Sequence, residues 1–361
     1  MLNNSPAWRS RPRRWLVFAA VVSVAGAGCS DDGSSTAAES PAETAALPTT
    51  GPTPTTQAAE DDAAAEPESE TTATFTFVDA TGEVTLPVTD QRVVALDEVA
   101  AVSLLVLGVE PEASSLFVDG SSRPLIEAAG VETTVRASLE WLADRDPDLL
   151  LGMGHPQNTT LRDEHLQIAP VAYPDFSAPW GDQMLAFAGA TGRSADAERV
   201  VAVIDERITR LRAQLESAGV LGAEASILQS AGGQFWAWGP TTLPGELLDQ
   251  LGFARSEIQS SDGAFGFILL SEEQLADEAQ ADVVFGVPEN AAAEESVFDS
   301  PLVDVAQTPS GLVSEMWIAN HAFAAWVVLE DIEAVVLDGG RPIADDELVD
   351  AWDAFLAEVG S

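Results

Sequence analysis

Ser138–Gly152 reads SLEWLADRDPDLLLG and Ser271–Gly286 reads SEEQLADEAQADVVFG, one pattern written twice in the chain. Each copy opens on a Ser able to accept a hydrogen bond from a helix N-terminus, and places a Glu in the first turn, where the helix dipole favours it. Each then runs Leu-Ala-Asp, crosses a few polar residues to a second Asp, and ends in a short apolar run and a Gly. An apolar run of that length between turn signals is a buried strand. A helix–strand unit that recurs predicts two similar α/β lobes with a cleft between them.

The repeat lies well inside the chain, and the N-terminus supplies an address. Residues 1–28 carry Arg9, Arg11, Arg13 and Arg14, an apolar run from Trp15 to Ala25, and then Gly26-Ala27-Gly28 before Cys29. A basic start, a short apolar run and small residues describe a secretory signal, and the run is too short to span a bilayer comfortably. Cys29 is the only cysteine of the 361 residues and stands where a bacterial lipoprotein is diacylated. The segment resembles a lipobox, with Gly26 in a position usually held by Leu or Val. With one cysteine there is no intrachain disulfide, so stability must come from packing. Residues 29–72 are mostly Ala, Thr, Ser, Pro, Glu and Asp without aromatics, a composition that cannot bury enough apolar surface to offset ordering entropy. The expectation is a flexible tether with a root-mean-square reach of roughly 35–40 Å.

The chain holds 16 Lys+Arg, all of them arginine, against 59 Asp+Glu, for a formal net charge of −43. Such a surface repels nucleic acid and anionic lipid, so neither is an expected partner. The three histidines, His155, His165 and His321, are far apart in sequence and have no cysteine partners, so a site for bare zinc or manganese is not expected. No Gly-x-Ser-x-Gly elbow, His-Glu-x-x-His helix or Gly-rich phosphate loop occurs, so the residues give no sign of an enzyme.

From residue 73 strands and helical patterns alternate: a hairpin around Gly82, a strand at Arg92–Asp97, a helix from Glu98 to Leu107, and then the first repeat. After Gly192 comes a run without Gly or Pro to about Ser217. Val200, Ile204, Ile208, Leu211 and Leu215 mark an apolar stripe at helical spacing along it. The predicted organisation is a leader at 1–28, a tether at 29–72, a first lobe at 73–192, an inter-lobe helix at 193–218 and a second lobe at 219–361. Both lobes are expected to be Rossmann-like with mostly parallel sheets.

Arg92-Val-Val-Ala-Leu96, Leu104-Leu-Val-Leu-Gly-Val-Glu-Pro111 and Leu139-Glu-Trp-Leu142 with Asp146-Pro-Asp-Leu-Leu-Leu-Gly152 resemble the solute-binding proteins of iron–siderophore and cobalamin ABC importers. So do Leu247-Leu-Asp-Gln-Leu-Gly252, Ser271-Glu-Glu-Gln-Leu275 and Trp317 with Val328-Leu-Glu-Asp-Ile332. The resemblance implies two lobes braced by one long helix, a ligand in the gap and little hinge motion. It implies a lipid-anchored, monomeric protein on the outer face of the cell membrane, delivering a ferric siderophore to a permease dimer and its ATPase. Iron then arrives inside its chelator, and no resident cofactor is needed. By position it also carries a permease-docking role onto Glu140 and Glu273. Haem and cobalamin remain alternative ligands, with His155 or Tyr173 as candidate axial groups for haem. A sensor without a permease would reuse the same lobes.

Clefts in such folds form at the carboxyl ends of strands. The loops there nominate Trp236, Trp238 and Phe235 between Gly232-Gly233 and Gly239-Pro240, with Trp317, Tyr173, Trp180 and His155 as further contacts. Flat rings offer contact area to a bulky chelate, and an arginine offsets an anionic one. Arg123 and Arg255 are the arginines best placed for that, with Arg136 third. If neither of the first two faces the gap, a neutral or cationic ligand is favoured over a catecholate.

Overall fold

The computed structural model describes residues 73–360 apart from 262, 264–265, 290–295 and 304–311. The expected leader, tether and Cys29 lie outside the described residues.

The first lobe opens with the antiparallel hairpin of β1 (Thr74–Asp79) and β2 (Gly82–Pro87), turned at Gly82, whose φ of +124° few L side chains adopt. Behind it stands a five-stranded sheet in the order β5-β4-β3-β6-β7, every neighbour parallel. Its strands are β3 (Val93–Ala95), β4 (Ala113–Leu116), β5 (Glu132–Val135), β6 (Leu149–Leu151) and β7 (Val171–Ala172). The strand order reverses between β3 and β6, which opens a crevice at their carboxyl ends. Helices α1 (Glu98–Val106), α2 (Ser122–Ala128), α3 (Leu139–Ala143), α4 (Pro156–Thr159), α5 (Arg162–His165) and α6 (Trp180–Thr191) connect and flank these strands.

The connector α7 spans Ser194–Ser217, 24 residues and about 36 Å at the helical rise. Its stripe buries Val200, Ile204, Ile208, Leu211 and Leu215 as the spacing requires. Arg207 is buried as well, held by Glu330 and Glu333.

The second lobe carries a four-stranded sheet in the order β10-β9-β8-β11, made of β8 (Ala225–Ala231), β9 (Gln234–Trp238), β10 (Phe267–Leu270) and β11 (Val283–Val287). Here β8 and β11 are parallel, while β9 pairs antiparallel with both β8 and β10. This sheet is mixed because two residues alone, Gly232 and Gly233 at φ +59° and +72°, join β8 to β9. Paired positive φ is the geometry of a tight hairpin turn, and a connection that short can only reverse the chain. Helices α8 (Leu243–Leu251), α9 (Glu272–Glu278), α10 (Ser314–Ile318), α11 (Ala322–Glu333) and α12 (Leu348–Val359) complete the lobe. The last of them crosses back to pack on α2 and α7.

The repeated units form alike. Ser138 Oγ accepts from Trp141 N at 3.2 Å to start α3, and Ser271 Oγ accepts from Gln274 N at 3.2 Å to start α9. Gln274 returns the bond to Ser271 N at 2.9 Å, completing a capping box. Each helix then feeds its apolar run into a parallel strand, β6 in one lobe and β11 in the other. The fold is two α/β lobes joined by one long helix, and a single apolar core runs through the helices between the two sheets.

Candidate functional site

A cavity of about 670 Å³ lies between the lobes, within the size range of small-molecule sites. The first lobe lends it Glu98 and Val99 from the start of α1, Met153 and His155 after β6, and Phe176 and Ser177 after β7. All three segments leave the carboxyl ends of strands. The second lobe lends Trp238 at the end of β9, Thr241 and Thr242 before α8, Phe267 at the start of β10, and Glu315, Ile318, Ala319 and Asn320 along and after α10.

Asp97 fixes the first wall. It is fully buried, caps α1 through Ala100 N at 2.8 Å, and its second oxygen accepts from Met153 N and Asn158 Nδ2, both at 2.7 Å. One carboxylate thus ties the β3 and β6 loops and α4 together, a full set of partners that keeps a buried acid tolerable. Beside it His155 packs edgewise against Phe176, ring centres 5.6 Å apart, and against Phe117 at 5.5 Å. Burial pushes the His155 imidazole below its usual range, so the ring is neutral near pH 7.

The second wall is aromatic and firmly backed. Trp238 meets Phe267 edge to face at 5.1 Å. Behind it, Arg255 donates to the Trp238 carbonyl, to Gly245 O at 3.3 Å and to Gln259 Oε1 at 2.9 Å. The Trp238 Nε1 is buried without a hydrogen-bond partner among the described residues.

Polar ties cross the gap beside the cavity. Asn320 Nδ2 donates to Ala178 O at 2.8 Å, Glu315 Oε1 accepts from Ser122 N at 3.1 Å, and Ser121 Oγ donates to Asp345 at 2.5 Å. Two carboxylates face the space, Glu98 and Glu315. Glu98 is 8% exposed, accepts from Phe117 N at 2.8 Å, and is pushed up to about 7 by burial and by the neighbouring Asp97. Burial raises Glu315 too.

Of the nominated ligand contacts, Trp238 and His155 line this cavity and the others do not. Trp236 sits half-buried nearer the hairpin turn, on the same face of β9 as Trp238 but away from the cavity. Phe235 points to the opposite face, into a small core with Leu228 and Leu270. Trp317 is fully buried and donates from Nε1 to Asp331 at 2.8 Å, because α10 turns it toward α11. Trp180 is packed into the main core at the start of α6. Tyr173 is fully buried with its hydroxyl bonded to His165 Nδ1 at 2.7 Å, which removes it as an axial ligand for anything in the gap.

The arginines are elsewhere as well. Arg123 is held on the surface by Asp119 at 3.0 Å and Glu127 at 2.7 Å, one helical turn to either side. Arg255 supports the wall from behind, and burial lowers its affinity for the proton. Arg136 borders a separate cavity of about 430 Å³ with His165 and Leu142. Glu98 was legible as part of the loop after β3. Glu315 and Thr241–Thr242 were missed, although a lone Ser-Glu inside the apolar run from Leu312 to Ile318 was a signal.

Glu140 and Glu273 are exposed in the first turns of α3 and α9, one in each lobe. The Glu140 carboxyl is held below its usual range by its own amide and by Ser138. Among the described residues no cluster of three or more His, Cys, Asp or Glu could hold a metal ion, and no helix is long and apolar enough to cross a membrane.

A family model described as periplasmic binding protein matches residues 93–306. The probable siderophore-binding lipoprotein YfiY of Bacillus subtilis (strain 168) is 26% identical over 214 residues, 55% of this chain. That match spans 64% of the relative's length, a little under two thirds. Among solved structures, the FhuD protein from S. pseudintermedius superposes with a TM-score of 0.61 at 16% identity, over 73% of this chain and 97% of that one. Staphylococcus aureus SirA complexed with staphyloferrin B gives 0.61 at 20% identity, over 72% and 97%. The periplasmic catecholate-siderophore binding protein VctP from Vibrio cholerae gives 0.60 at 19% identity, over 73% and 100%. At those identities the likeness is one of fold. The family match covers more than half of the sequence and most of the residues that line the cavity, and the chain belongs to the periplasmic binding protein family.

Proposed function

We propose that the protein captures a ferric siderophore outside the membrane and hands it to an ABC importer. The observation that carries this reading is the cavity between the lobes, roofed by Trp238 and Phe267 and floored by Met153, His155 and Phe176. It is large enough for a compact chelate, mostly apolar, and offers flat rings to a bulky guest. YfiY is described as a probable siderophore-binding lipoprotein and VctP as a catecholate-siderophore binding protein, which supports the same class of ligand.

In this reading Cys29 carries the lipid, residues 29–72 are the leash, and the lobes run 73–192 and 219–361 about α7. The protein works as a monomer. Glu140 and Glu273 project from opposite lobes to meet basic residues of a permease dimer served by its ATPase. Haem would have only His155 as an axial candidate at the cavity, since Tyr173 is sealed in the core.

Seven of the nine tryptophans lie beyond residue 28, so intrinsic fluorescence reports on the lobes. Titration of the tether-to-C-terminus protein with ferric hydroxamate, ferric catecholate, haem and cobalamin should give saturable quenching with a ferric chelate. Flat curves across the panel would refute the assignment, and a response to haem or cobalamin alone would redirect it.

A further inference from the structure

The charge lining the cavity narrows the class of chelate, and this step rests on the siderophore reading above. Two carboxylates, Glu98 from the first lobe and Glu315 from the second, face the space. No guanidinium or ammonium faces it among the described residues. Sequence makes that stronger, because the chain has no lysine and the segments 262–265, 290–295 and 304–311 contain no arginine. The arginines that could have served are committed elsewhere: Arg123 to Asp119 and Glu127, Arg255 to backbone carbonyls behind Trp238, Arg136 to the Phe117 carbonyl.

We infer that the cavity selects ferric chelates of zero or positive net charge, of the trihydroxamate type, with an amine or amide N–H directed to Glu98 and Glu315. Three hydroxamates cancel the charge of ferric iron, whereas three catecholates leave the complex triply negative. Placing such an anion against two acids, without a cation to offset them, costs Coulomb energy that a poorly solvated cavity does not screen. The net charge of −43 opposes the approach of an anion too, though salt weakens that part.

The test compares three probes by tryptophan quenching at 0.5 M salt, where the field of the whole surface is damped. These are a linear ferric trihydroxamate ending in a free amine, the same chelate N-acetylated, and a ferric tricatecholate. The amine form should bind about tenfold or more tightly than the acetylated form, the worth of one charge-assisted contact, and the tricatecholate weakest. In Glu315→Gln and Glu98→Gln, each verified as folded by its melting curve, the amine-to-acetyl ratio should fall toward one. Thr241→Arg, on the cavity rim, should raise tricatecholate affinity at least tenfold. Tightest binding of the tricatecholate by the native protein, or a ratio unmoved in both glutamine variants, would overturn this inference alone. No quenching by any of the three would overturn the siderophore reading and this inference with it.

Discussion

Glu98 and His321 show how burial dominates the protonation of single groups in this protein. For Glu98 the proton is held up to about pH 7 by burial, then by Asp97 and Glu315, against the Phe117 amide that favours the anion. A cationic chelate prefers the ionised form, so its affinity should rise as pH climbs from 6 to 8, with proton release on binding below 7. On the same wall, burial lowers the His155 pKa and raises that of Asp97, so both shifts disfavour the charged forms there. The Glu98→Gln variant should flatten the profile; an equally steep one would remove Glu98 from the site. His321 is fully buried, caps α11 through Ala324 N at 2.9 Å, and is pushed down to about 3. Its folded pKa lies below the unfolded value of about 6.5, so it contributes stability above pH 6.5 that is lost as pH falls toward 3. His321→Asn keeps an acceptor at the cap and should reduce the loss of urea midpoint between pH 7 and 5. An unchanged loss would show that other groups carry the acid limb. At single residues the sequence was least legible. Alternation placed Trp236 and Trp238 on one face of β9, but only the position of the strand's end relative to the other lobe brings Trp238 to the cavity. Trp317 looked like a loop residue and is a helix residue satisfied by Asp331.

Elements were far more legible, because caps, periodicity and apolar runs are local signals. The αβ repeat gave α3–β6 and α9–β11, and the stripe in α7 buried as spaced. The mixed second sheet was not foreseen, because only the positive φ of Gly232 and Gly233 shows that the chain reverses there to set β9 antiparallel. Within α7, Ile204 is fully buried, and Ile204→Ala should cost about 2–4 kcal/mol by denaturant unfolding. Arg207 reaches both Glu330 and Glu333 of α11 from inside the core. Arg207→Met should cost less, about 1–3 kcal/mol, because the two acids are partly exposed and retain water. A neutral result at Arg207 would mean that the ion pair adds nothing beyond its packing.

For the molecule as a whole, the connector and the shared core imply that the lobes close on a ligand by small rotations only. The lobes are matched halves in their αβ units, yet their sheets differ, five parallel strands against four mixed ones. Docking belongs to this level, because Glu140 and Glu273 sit on separate lobes and a permease would read their separation. Glu140→Arg and Glu273→Arg should leave chelate quenching intact and abolish uptake into cells; loss of quenching would instead assign these residues to the lobe structure. The two-lobe plan was visible in the repeat, and the gap between the lobes followed from it. Which side chains line that gap depended on contacts across the lobes, such as Asn320 to Ala178, that no local pattern records.

The most direct measurement is a crystal structure of the tether-free protein grown with a ferric trihydroxamate, phased on the anomalous signal of its iron. The account predicts iron between Trp238 and Phe267 on one side and His155 and Phe176 on the other, with chelate nitrogen near Glu98 or Glu315. Iron seated instead beside Arg136 and His165, or on an outer face of either lobe, would contradict it.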